Sequence, residues 1–255
     1  MNTVLYDRKE EIGLVTFNRP HALNAANYEM SADLLDALKL ARDDREAKVI
    51  ILKGEGRAFC AGADIKEGLR PMTIDERLDQ VAQEQNIGRT FLELSRLGKP
   101  VIAAIQGYAL GAGLEWALSC DLRIAAEGTR LGFPETAVGA TVTGGGTYLL
   151  PRVIGLARAK EMLLTAEVID AKEAERWGLI NKVVPADALD REAMDMAKKI
   201  AKNYPLALRL TKISVDYGLD TNFEVALELE AQAATLSFVS AERQRGMAAR
   251  SKKTQ

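Results

Sequence analysis

The chain has 255 residues, of which 27% are charged and 47% hydrophobic, with a formal net charge of -2, one histidine and two cysteines. Such a length can bury a substantial core, as one large domain or a domain with an appendage, and the composition is globular rather than disordered. A pI near 5.7 offers no electrostatic case for nucleic acid or an anionic membrane. His21 on its own argues against a histidine triad or a zinc site. Cys60 and Cys120 form neither a disulfide framework nor a CxxC pair, which fits a reduced compartment. No apolar run reaches the roughly 18 residues of a membrane span. The first residues lack the basic end and apolar stretch of a signal peptide, so a cytoplasmic protein is expected.

Val4 to Tyr6 and Ile12 to Phe17 are short β-type runs separated by a charged turn, and they read as a hairpin closed by Asn18-Arg19-Pro20. A helix is expected from about Tyr28, with Leu34, Leu35, Leu38 and Ala41 on one stripe. Val49 to Leu52 reads as a buried strand ending at Gly54-Glu55-Gly56. Arg57 to Lys66 is a loop through Gly62-Ala63-Asp64, either a strand-to-helix turn capped by Asp64 or a place where a small residue offers its N–H to a ligand. A loop over 67–75 precedes a long helix carrying Leu78, Val81, Phe91, Leu94 and Leu97, weakened at Gly88.

The chain is organised around the next stretch. Val101 to Ile105 is short, β-branched and preceded by Pro100, so it reads as a buried strand delivering the chain to Gly107-Tyr-Ala-Leu-Gly-Ala-Gly-Leu-Glu115. Leu114, Ala117 and Leu118 then follow a helix period. The first N–H groups of a helix have no partner inside it and sit at the positive end of its dipole. Gly111, Ala112 and Gly113 let another molecule approach them closely, which suits an anion or a developing oxyanion. Tight helix-on-sheet packing would use the same glycines.

Glu115 stands among Leu114, Trp116, Ala117 and Leu118, where an anion is costly unless paired or hydrogen-bonded. The alternative is a first-turn carboxylate facing solvent. Glu135, behind Phe133-Pro134, is either a helix-start carboxylate or the second acid of a site. Strands at Leu122 to Ala126 and Leu131 to Phe133 are expected, followed by the run Gly144-Gly145-Gly146. From Pro151 onward helices dominate, at 157–165, 171–177, 188–203, 205–217 and 223–239, interrupted by one short strand, Leu179 to Val184.

Residues 107–121, Phe133-Pro-Glu135 and, upstream, Phe59-Cys-Ala-Gly-Ala-Asp-Ile-Lys66 together resemble the enoyl-CoA hydratase/isomerase (crotonase) superfamily. The resemblance runs from Ile12 to about Met247. It implies an α/β fold, a crotonase-like spiral of ββα turns with a C-terminal helical region. Residues 1–190 would form the spiral core with the acyl-CoA site, and 191–255 a helical region for oligomerisation, giving a homotrimer or a dimer of trimers. The resemblance assigns the oxyanion-hole N–H groups to Ala63 and Ala112, and the proton-handling carboxylates to Glu115 as base and Glu135 as acid. It places Ala61, Asp64, Ile65, Lys66 and Gly111 against coenzyme A, with Arg19 or His21 as further candidates. No cofactor is implied, since coenzyme A belongs to the substrate, an α,β-unsaturated acyl thioester.

The chain departs from the family pattern in three places: Val142-Thr143 where Pro-Gly is common, Phe133 at an often polar position, and the C-terminal residues 246–255. Two other readings compete with hydration. A double-bond isomerase could run on Glu135 alone, and a non-catalytic or RNA-binding protein could use the same scaffold.

Overall fold

The computed structural model describes residues 1–64, 73–74 and 88–251. Ile65, Lys66, the loop expected over 67–75 apart from residues 73–74, and the first part of the helix carrying Leu78 and Val81 lie outside the described residues.

Six strands form the main sheet: β1 (Val4–Lys9), β2 (Ile12–Phe17), β3 (Val49–Gly54), β4 (Val101–Ile105), β6 (Leu122–Ala126) and β9 (Lys182–Val184), in the order β1-β2-β3-β4-β6-β9. Only β1 runs antiparallel to its neighbour, through the hairpin at Glu10. Parallel strands buried on both faces need continuous apolar runs rather than alternation, and Val49 to Leu52 and Val101 to Ile105 are fully buried. Neighbouring residues face opposite sides: Ile50, Leu52, Ala103 and Ile105 belong to one core cluster, and Val49, Ile51, Ile102 and Ala104 to the other.

Beside the main sheet lies a second, shorter layer made of β5 (Tyr108–Leu110), β7 (Arg130–Gly132) and β8 (Val168–Asp170). Parallel bridges extend it backwards, Cys60 pairing with Ala109 and Ala26 with Ala63. Four of the main-sheet strands, β2, β3, β4 and β6, are each followed by a piece of the second layer and then by a helix. β2 leads to Ala26 and α1 (Tyr28–Asp43), and β3 to Cys60–Ala63 and then the helical residues 88–95. β4 leads to β5 and α2 (Ala112–Leu118), and β6 to β7 and then α3 (Gly146–Ile154). This is the spiral of ββα turns that the family resemblance implied.

Local chemistry fixes the elements. The Asn27 side chain accepts the Met30 N–H at 2.9 Å and so caps α1. That helix buries Met30, Leu34, Ala37, Leu38 and Ala41, while Leu35, expected on the stripe, is only half-buried. The opposite face of the sheet is covered by α6 (Leu189–Ala201), whose Leu189, Ala193, Ala197 and Ala201 recur every fourth residue and pack on Ile51, Ile102 and Ile124. α4 (Leu156–Thr165), α5 (Ala171–Arg176), α7 (Pro205–Gly218), α8 (Phe223–Phe238) and α9 (Ala241–Ser251) complete the chain. α7 and α8 pack on each other and bury no residue. An ion pair ties α7 to the core: Lys212 pairs with Asp121, whose other oxygen accepts the Val101 N–H at 2.6 Å. Among the described residues no helix is long and apolar enough to cross a membrane.

Several elements differ from expectation. β1 continues to Lys9, and β9 is limited to the last three residues of the expected Leu179 to Val184 run. The second-layer strands β5 and β8, three residues each, were not expected, nor were α3 and α9. α3 begins with glycine and contains Pro151, both contrary to helix propensity; burial of Leu150 and Ile154 in the core overrides that preference.

Candidate active site

The second layer brings two loops together. Cys60 N–H donates to Tyr108 O at 2.9 Å and Leu110 N–H donates to Cys60 O at 3.1 Å, so 60–63 and 108–112 run side by side. Carried forward, the register sets Gly62-Ala63 next to Gly111-Ala112. Gly62 and Gly111 both have positive φ, 102° and 49°, which a side chain would make costly. Ala26 uses Gly62 O and the Asp64 N–H, so the Ala63 N–H points away from Ala26. Neither the Ala63 nor the Ala112 N–H has an acceptor among the described residues. These are the two donors expected from sequence. They stand at matching points of successive spiral turns, and the parallel between Phe59-Cys-Ala-Gly-Ala and Tyr108-Ala-Leu-Gly-Ala is the sequence signal of that equivalence.

Gly113 holds the loops in contact. A Cβ there would run into Cys60 O, a backbone atom with nowhere to move. Gly113→Ala is therefore expected to destabilise the fold by about 1–3 kcal/mol, read as a lower denaturant midpoint; an unchanged midpoint would contradict the close approach.

Glu115 is buried, only 3% exposed. Its Oε1 accepts the N–H groups of Gly144 at 2.6 Å and Gly146 at 3.1 Å. The glycine run thus has a role that sequence reasoning missed, as the backbone support of this carboxylate. Glycine is required at 144 because a Cβ would collide with Glu115 Oε2 and the Phe91 ring. Phe91 stacks on Trp116 with centroids 5.6 Å apart, and Trp116 Nε1 donates to Thr90 Oγ1 at 2.9 Å, so the helical residues 88–95 wall the carboxylate. Burial raises the Glu115 carboxyl to about 7, the two amides oppose that rise, and the charge of Glu135 adds to it.

Glu135 lies in a 3-10 turn, Pro134–Val138, after β7. Its Oε1 sits over Gly111, 2.5 Å from where a Cβ would stand, which gives a second reason for glycine at that position. Its Oε2 is buried with no hydrogen-bond partner among the described residues. Burial raises this carboxyl as well. Two carboxyls pushed toward the neutral form, one of them sensing the charge of the other, together with two unengaged N–H groups, are groups capable of acid/base and oxyanion chemistry.

The remaining expected contacts divide. Asp64 donates its N–H to Ala26 O at 2.7 Å and its carboxylate pairs with Arg19 at 3.0 Å. Arg19 also donates to Ala25 O, so both side chains serve the Ala22–Asp64 framework rather than facing solvent. Ala61 is half-buried on the same loop, and His21 is exposed in the turn before α1. Phe133 is fully buried, its ring close to Gly146 and Val142. Cys60 and Cys120 are free and buried.

A sequence model of the Enoyl-CoA hydratase/isomerase family matches residues 7–255, and the chain belongs to that family. It is 39% identical over 234 residues to the short-chain-enoyl-CoA hydratase of Clostridium acetobutylicum, covering 91% of this chain and 88% of that protein. It is 38% identical over 247 residues to the crotonyl-CoA hydratase of Syntrophomonas wolfei, covering 96% and 94%. The crystal structure of enoyl-CoA hydratase from Bacillus anthracis superposes with a TM-score of 0.93 at 36% identity, over 98% of this chain and 96% of that one.

Proposed function

We propose that the chain is an enoyl-CoA hydratase, adding water across the 2,3 double bond of an α,β-unsaturated acyl-CoA to give a 3-hydroxyacyl-CoA. The observation that carries this reading is Glu115, a buried carboxylate fixed by the Gly144 and Gly146 amides and sensing the charge of Glu135. Isomerisation needs one proton carrier; hydration needs a base for water as well.

In this reading water adds through its oxygen to the β-carbon while Glu115 takes its proton. Charge then builds on the thioester oxygen, where the Ala63 and Ala112 N–H groups stabilise it. Glu135 delivers a proton to the α-carbon. A base titrating near 7 is ionised often enough at neutral pH to act and basic enough to accept a proton. Coenzyme A arrives with the substrate, and the candidate residues for holding it are Ala61, Asp64, Ile65, Lys66 and Gly111. Relatives named for short-chain and crotonyl substrates support a short acyl group, as do Phe91, Phe133 and Val142 crowding the glycine run. Two buried free cysteines favour a reducing cytoplasm.

For assembly we favour a homotrimer or a dimer of trimers, supported by exposed apolar residues on and after α7 and α8, among them Val215, Phe223, Phe238 and Val239. Light scattering giving the mass of one chain would contradict it. The catalytic reading is tested by supplying crotonyl-CoA and a 3-enoyl-CoA separately: loss of the conjugated absorbance of the first is expected. Conversion of the second alone would favour the isomerase, and turnover of neither, with tight RNA binding, the scaffold alternative.

A further inference from the structure

We infer that Tyr148, Arg152 and Asp220 form a clamp through which the C-terminal helices position the amides that hold Glu115. The inference rests on the hydratase reading above and names positioning residues for it. Gly146, whose N–H bonds Glu115 Oε1 at 3.1 Å, is the first residue of α3. Tyr148 stands two residues further on, and its hydroxyl donates to the Asp220 carboxylate. Arg152, one turn along α3, lies 3.4 Å from the centroid of the Tyr148 ring. Its Nη1 donates to Tyr148 O at 2.9 Å, and its Nη2 is 3.4 Å from Asp220 Oδ1.

Asp220 sits in the link between α7 and α8. The same α7 is pinned further back by Lys212 to Asp121, three residues beyond the end of the helix that carries Glu115. The C-terminal arm therefore grips the two segments that converge on Glu115: the stretch just after α2, which bears it, and the start of α3, whose Gly146 N–H it accepts. α3 is poorly supported by its own sequence, opening on Gly145-Gly146 with Pro151 inside, so an external hold on its first turn has something to correct. Among the described residues, the charged group acting on Glu115 is Glu135, and the two amides are what favours its anion. Misplacing those amides weakens the anion and raises the pH at which the base becomes available.

The test is the pH profile of kcat/KM for crotonyl-CoA hydration in the full chain, with Tyr148→Phe, which keeps the ring under Arg152, and Asp220→Ala. Each is expected to shift the acid limb upward by about half a pH unit and to lower kcat at neutral pH by about 3- to 10-fold, the size of one net hydrogen bond, with KM little changed. Asp220→Asn, which keeps an acceptor for the hydroxyl, should return the limb toward the wild-type position. A limb superimposed on wild type in both Tyr148→Phe and Asp220→Ala, whatever their thermal stability, overturns the clamp. No hydration by the wild-type chain would instead overturn the hydratase reading.

Discussion

Glu115→Gln is expected to lower crotonyl-CoA hydration by roughly 100- to 10,000-fold while leaving thioester binding in place. The glutamine keeps an oxygen that can accept from Gly144 and Gly146, so the glycine run retains its support, but it cannot take a proton from water. The same substitution should stabilise the fold in a pH-dependent way. The Glu115 carboxyl rises from 4.5 to about 7 on folding, chiefly through burial. A raised carboxyl costs nothing below its unfolded value. The cost then grows as pH climbs from about 4.5 to about 7, where the unfolded chain is ionised and the folded chain is not, and stays constant above. The variant's advantage over wild type should therefore open across that window to on the order of 3 kcal/mol at most. Thermal melts at pH 4.5 and pH 8 measure it. A flat difference would mean that the carboxyl is not raised, and full activity would remove Glu115 from the role of base.

The second large effect belongs to Glu135. Its buried Oε2 has no hydrogen-bond partner among the described residues, and burial raises its carboxyl, which favours the role of proton donor. Glu135→Gln removes the deliverable proton, and a loss of the same roughly 100- to 10,000-fold order is expected. A signed secondary effect accompanies it. Because the Glu135 charge raises Glu115, removing that charge should move the acid limb of the residual activity to lower pH. A limb that stays in place would separate the two carboxyls, and undiminished hydration would assign the α-carbon proton elsewhere.

Much of this site could be read from residue order because its parts lie in chain segments whose chemistry is local. A β-branched run, a glycine turn and a glutamate among apolar neighbours needed no tertiary information to be noticed, and the parallel strands buried on both faces appear as continuous apolar stretches. The elements that escaped are those made by tertiary contact. β5 hides inside Gly107 to Gly111 because three residues pair only when β7 lies beside them. α3 defies propensity and survives on the burial of Leu150 and Ile154. The partnership of Glu115 with Gly144 and Gly146 is a backbone interaction spanning about thirty residues, so no side chain announces it. The ion pair of Asp64 with Arg19, 45 residues apart, is likewise tertiary, formed because Ala26 bridges to Ala63 and brings them within 3.0 Å.

The most direct measurement is the turnover number for crotonyl-CoA, followed by loss of its conjugated absorbance, for the wild-type chain, Glu115→Gln and Glu135→Gln under identical conditions. The proposed roles of Glu115 and Glu135, beside the Ala63 and Ala112 amides, predict brisk hydration by the wild type and a collapse in each variant. A wild-type chain that leaves crotonyl-CoA untouched, or a variant that hydrates it as fast as the wild type, would contradict that arrangement.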